Sequence, residues 1–171
     1  AFSPIVNSLL ERPGSLAARD IITVLYSLAT FSVLPGSAVM ARLLSALAPH
    51  AGSLTPAEAA SAYWSLGMLR ETEHAAFASL ERRLAAAHAE SPLDEATLRM
   101  AFQGFLCAKL AESTRQPEFD PLMMDAMKRA WVGAAAVAAL ASAGGPLERL
   151  TDVLTQLKVR HDARRPTRVV P

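Results

Sequence analysis

A single cysteine, Cys107, stands in the 171 residues of the sequence. That excludes an internal disulfide framework and any zinc site built from several thiolates of this chain, and it fits a reducing compartment or one indifferent to redox state. Four histidines, His50, His74, His88 and His161, have no metal-ligand spacing, and no His-carboxylate motif accompanies them. A Gly-rich phosphate loop and a GxSxG elbow are likewise missing. No catalytic residue, metal or cofactor is expected, and the chain reads as a non-enzyme. Aromatic residues are scarce at 6% and charged ones few at 19%, against 51% hydrophobic, a balance that excludes disorder and favours packed helices. Two stretches, 21–41 and 130–147, carry no charge at all. Each contains a breaker, Pro35-Gly36 in the first and Gly144-Gly145-Pro146 in the second, so neither is expected to span a membrane.

What the chain has is internal repetition. Shifting the sequence by 38 lays Ser15-Leu16 on Ser53-Leu54, Asp20 on Glu58, Leu25-Tyr26 on Tyr63-Trp64, Ser27-Leu28 on Ser65-Leu66, Ala29 on Gly67 and Phe31 on Leu69. A further shift of 37 lays Glu58 on Glu95, Tyr63 on Met100, Gly67 on Gly104 and Leu69 on Leu106. The segments between repeat as well: Ala38, Met40, Ala41, Leu43, Leu47 and Ala48 fall on Ala75, Phe77, Ala78, Leu80, Leu84 and Ala85 at a shift of 37. Met40/Leu43/Leu47, Phe77/Leu80/Leu84, Met124/Met127/Trp131 and Leu150/Val153/Leu157 follow i, i+3, i+7, the apolar stripe of an amphipathic helix.

Proline and glycine clusters at 13–14, 35–36, 49–52, 91–92, 117–121 and 144–146 separate these segments, and Thr55-Pro56-Ala57-Glu58 combines an N-cap, a proline at N1 and a capping-box acid at N3. The pattern predicts helices near 3–12, 16–32, 37–50, 56–70, 73–89, 93–111, 121–131, 133–143 and 146–159, with no strand. The expected fold is an all-α solenoid of helix-pair repeats, period 37–38 residues and about four repeats. It would occupy 1–159, with clear repeats over 15–110 and degenerate ones over 111–159, followed by a basic tail over 160–171. Ala29, Gly67 and Gly104 read as a small position where two helices approach closely, since a glycine inside a helix costs about 1 kcal/mol against alanine.

The helix-pair period and the runs Leu25-Tyr26-Ser27-Leu28-Ala29 and Tyr63-Trp64-Ser65-Leu66-Gly67, each preceded by an acid at Asp20 or Glu58, resemble octotricopeptide repeats and the related heptatricopeptide repeats. The likeness is clear over 15–110; Ala101-Phe102-Gln103-Gly104 lacks the leucine. The resemblance implies RNA binding in a mitochondrion, or alternatively a chloroplast, within an organellar ribosome or in transcript maturation.

Net charge is only +1, too little to point to nucleic acid by itself, but its distribution is uneven. Residues 158–171 hold Lys158, Arg160, Arg164, Arg165 and Arg168 against Asp162, and such arms contact phosphates. The rest of the chain is slightly acidic. Beside the apolar stripes stand Arg42, Arg82, Arg83, Lys128 and Arg129, candidate rungs of a basic ladder along an RNA backbone, with Glu81 and Asp125 nearby to weaken it. Tyr26 and Trp64 have the ring faces to stack on bases, but at helical spacing beside Leu28 and Leu66 they read as core. Cys107, in mid-helix, reads as a buried, inert thiol, and Asp94-Glu95 as acids placed at a positive helix end.

The expected role is therefore an organellar RNA-binding repeat protein, a structural component that braces ribosomal RNA in a mitochondrial ribosome beside neighbouring proteins. A protein-binding scaffold is the alternative favoured by the acidic body, and an accessory subunit of an organellar complex is a third.

Overall fold

The computed structural model describes residues 17–111 and 119–141, with side chains through residue 134. Among them the chain is all-helical and has no strand. The helices are α1 (Ala18–Thr30), α2 (Ser37–Leu47), a 3-10 segment η1 (Ala48–Ser53), α3 (Pro56–Met68), α4 (Ala75–Glu90), α5 (Glu95–Leu110) and α6 (Pro121–Ala141). The chain divides into two compact units, 1–131 and 132–171. The second is described only over 132–141. No described helix is long and apolar enough to cross a membrane. The expected helices at 3–12 and 146–159, the stripe Leu150/Val153/Leu157 and the tail over 160–171 lie outside the described residues.

Helix starts follow the capping chemistry. At α3 the Thr55 hydroxyl accepts from the Glu58 amide at 3.3 Å, while the Glu58 carboxylate accepts from the Thr55 amide at 3.0 Å and from the Thr55 hydroxyl at 2.7 Å. Those bonds, first from the hydroxyl and then from the amide, hold the Glu58 carboxyl below its ordinary value of 4.5. At α1 the N-cap is Ala17, so only the reciprocal half exists, the Ala17 amide donating to Asp20 at 3.2 Å. Asp94 caps α5, accepting from the Thr97 amide at 2.9 Å and its hydroxyl at 2.7 Å, and these bonds lower its carboxyl as well. Thr55→Ala is expected to cost about 1 kcal/mol in urea unfolding. Because the folded carboxyl titrates below the unfolded one, the Glu58 contribution is present above pH 4.5 and disappears as pH falls through the lowered value. Glu58→Gln should flatten that acid limb, and an unchanged limb would show that the cap carries none of it.

The ends of α1 and α3 match bond for bond. Val33 donates its amide to the Leu28 carbonyl and Ser32 to Ala29, and 38 residues on Glu71 donates to Leu66 and Arg70 to Gly67. This is a Schellman closure, whose penultimate residue must turn left-handed. Ser32 (φ 53°) and Arg70 (φ 61°) do so without being glycine. The Ser27 and Ser65 hydroxyls both bond back to the carbonyl four residues earlier, at 2.8 and 2.7 Å.

Packing follows the apolar stripes. Helix α3 packs on α1 and α4, and most extensively on α5; α4 also touches η1 and α2. Ile21, Leu25 and Leu28 of α1, Met40, Leu43 and Leu47 of α2, Tyr63 and Leu66 of α3, and Phe77, Leu80 and Leu84 of α4 form one buried cluster. Tyr63 is its aromatic hub, stacked on Phe77 at 4.3 Å and edge-on to Phe119 at 5.7 Å. Gly67 and Gly104 meet where α3 and α5 cross: a Cβ on Gly67 would lie 2.9 Å from the Gly104 carbonyl oxygen. Close approach is thus the reason for both glycines.

Three expectations need correction. The spacing 121–131 then 133–143 becomes one helix from Pro121 to Ala141, because a lone Gly133 with nothing around its Cβ position costs about 1 kcal/mol, too little to break an alanine-rich run. The buried stripe at its start is Met123, Met127 and Ala130, with Met124 and Trp131 only half-buried. The start of α5 lies 39 residues after that of α3, not 37, and Gly67 and Gly104 pack against each other in one crossing.

Candidate nucleic-acid interface

The five basic residues expected along α2, α4 and α6 separate into two groups. Arg42, Arg82 and Lys128 are exposed; Arg82 donates to the Ser79 hydroxyl of its own helix, at 3.2 Å. Arg83 instead turns inward and donates from Nε to the Leu54 carbonyl at 2.8 Å, tying α4 to the segment that enters α3. That carbonyl precedes the N-cap of α3 and has no partner within the helix, so the guanidinium satisfies a group the fold itself exposes. Arg129 forms an i, i+4 ion pair with Asp125, both side chains being largely in solvent, an arrangement worth a few tenths of a kcal/mol. The pairing leaves the Arg129 side chain in solvent but offsets its charge with that of Asp125.

Glu81, expected beside the ladder, is only 1% exposed and occupies the place that Leu44 has on α2. It lies in the core, so the surface around Arg82 is more basic than the sequence suggests. Lys158, Arg160, Arg164, Arg165 and Arg168 lie outside the described residues.

The aromatic expectation is also corrected in part. Tyr63, not Tyr26 or Trp64, is the buried ring. Tyr26 is 40% exposed and Trp64 half-buried, and the two rings contact each other between α1 and α3 with centroids 5.1 Å apart and planes tilted by 46°. The reason lies in the stripe of α1: Ile21, Ile22, Leu25, Leu28 and Ala29 point inward, and Tyr26 falls about 100° from Leu25 around the axis. That offset was the signal available in the sequence.

The C-terminal ends of α1, α3 and α5 form a second exposed region. Phe31, Leu34, Met68 and Leu110 are solvent-exposed there. One depression is lined by Ala29, Leu34, Met68 and Arg70 and another by Gly67, Met68, Cys107 and Leu110. Cys107 is half-buried with its Sγ 3.4 Å from the Met68 Sδ; burial pushes the thiol up, away from the reactive thiolate.

Among the described residues no group of three or more His, Cys, Asp or Glu is placed to hold a metal ion. The His74 Nδ1 accepts from the Ala76 amide at 3.1 Å as an N-cap. Comparison with protein-family models, with curated proteins and with solved structures gives no match.

Proposed function

We propose that the chain is an α-solenoid of about four helix-pair repeats that binds RNA in an organelle, as a structural component of a mitochondrial ribosome or a similar ribonucleoprotein. The observation that carries the repeat is the match of α1 to α3 at 38 residues, down to the left-handed Ser32 and Arg70. A residue other than glycine in that conformation costs on the order of 1 kcal/mol, so its recurrence argues for one module used twice. The likeness to octotricopeptide repeats over 15–110 supplies the ligand class. Arg42, Arg82 and Lys128, exposed and with no carboxylate partner among the described residues, supply phosphate contacts on alternate helices, and the basic arm over 158–171 adds five more cations.

A labelled single-stranded RNA titrated by fluorescence anisotropy tests this. Affinity should fall steeply between about 50 and 200 mM salt, and the triple substitution Arg42→Ala, Arg82→Ala, Lys128→Ala should lower the slope of log K against log salt by about 2. Affinity indifferent to salt would defeat the proposal. The second reading, a protein-binding scaffold, is favoured by the exposed Phe31, Leu34 and Leu110 at the helix ends, a surface with no use for phosphate.

A further inference from the structure

Tyr26 is not needed by the core it stands next to. Leu25 at 0% and Leu28 at 4% exposure fill the inward face of α1, yet a large ring is kept 40% exposed between them. Its counterpart 38 residues on, Trp64, is half-buried beside the core, and the two lie in contact at 5.1 Å. Their planes are tilted by 46°, so the pair is not a closed face-to-face stack, and the 40% exposure of Tyr26 leaves part of its ring open to a flat ligand.

The surroundings narrow the ligand. Neither 21–30 nor 59–68 contains a charged residue, so no carboxylate on these stretches repels a phosphate. Arg19 stands about 10 Å before Tyr26 along α1, beside the exposed Asp20 and within the field of Glu58, and the exposed Arg70 stands just beyond the last turn of α3. Between them the outward neighbours are hydroxylated, Thr23, Thr30 and Ser61 among them. Along α1 and α3 themselves the exposed apolar groups are the two rings and Met68, which leads on to Leu34 and Leu110 at the helix ends, whereas a docking helix needs a row of anchors at i, i+3, i+4 and i+7. A planar, sequence-tolerant contact fits such a strip.

We infer that Tyr26 and Trp64 form a stacking platform for unpaired bases of a single-stranded RNA, one ring per repeat. This rests on the RNA reading above and gives it a second contact, separate from the basic residues of α2, α4 and α6. Stacking on the platform takes a base out of water against an indole, so Trp64 reports it directly.

The test uses the full chain carrying Trp131→Phe, which leaves Trp64 as the one indole of the two in the sequence. Short oligo(A), oligo(U) and an RNA duplex are titrated while Trp64 emission and the anisotropy of the labelled strand are followed together. The expected result is quenching by single strands, stronger for oligo(A), and little by the duplex. Tyr26→Ala should weaken single-strand binding at least about fivefold, with Tyr26→Phe close to the parent and the helical circular dichroism of both unchanged. RNA that binds by anisotropy while Trp64 emission stays constant and Tyr26→Ala binds as before would overturn the platform and leave the RNA reading standing. Equal quenching by duplex and single strand would also overturn it. No anisotropy change with any RNA would defeat both.

Discussion

Gly104→Ala is expected to destabilise the fold by about 2 kcal/mol, although alanine is the better helix former by about 1 kcal/mol. A Cβ there would lie 2.5 Å from Cδ1 and 2.9 Å from Cε1 of Tyr63, and 3.1 Å from the Trp64 Cα. The ring has little room to retreat, being held by Phe77 on its face and Phe119 at its edge, and a backbone Cα retreats only if α3 moves as a body. Overpacking of a dense interior therefore outweighs the gain in propensity. Gly52→Ala is the control. Nothing lies within 4 Å of its Cβ position and its φ is ordinary, so that change should be neutral or stabilise by roughly 0.5 kcal/mol. Urea unfolding followed by circular dichroism compares the two, and a Gly104→Ala midpoint equal to that of Gly52→Ala would mean that α3 and α5 are not packed as described.

Tyr63→Ala should cost about 4 kcal/mol, the largest loss of any single substitution considered, because the ring is fully buried and its removal leaves a cavity lined by Phe77, Phe119 and the Gly104 backbone. The two sites are also expected to couple. In the Tyr63→Ala background the added methyl at position 104 enters the space that the ring has left, so the double substitution should lose clearly less than the two singles together. Strict additivity in the same urea experiment would mean that Tyr63 and position 104 do not touch.

The sequence revealed some of this and concealed the rest for physical reasons. Thr55-Pro56-Ala57-Glu58 marks the start of α3 to the residue, because a cap is a local device whose partners lie within one turn. The partition into helices was legible too, since stripes such as Met40/Leu43/Leu47 need only the helical period. That Gly67 and Gly104 face each other was not legible, because smallness at two places does not say whether the two backbones meet, and only three-dimensional packing shows it. Arg83 was equally opaque: one residue from Arg82, it faces about 100° away, and its acceptor is a carbonyl 29 residues earlier. Glu81 was read as a surface acid because carboxylates are seldom buried, yet its place in the stripe, four residues after Phe77, was visible. Tyr26 could have been separated from Tyr63 by counting around α1, as its neighbours point the other way.

The guanidinium of Arg83 on the Leu54 carbonyl, together with the glycine crossing on the other side, means that the middle of the described bundle is fastened in both directions. Helix α4 cannot peel off without stranding a main-chain acceptor, and α5 cannot lift away without baring the surface of Tyr63. Fraying is therefore left to the parts of the described bundle farthest from the crossing of α3 and α5.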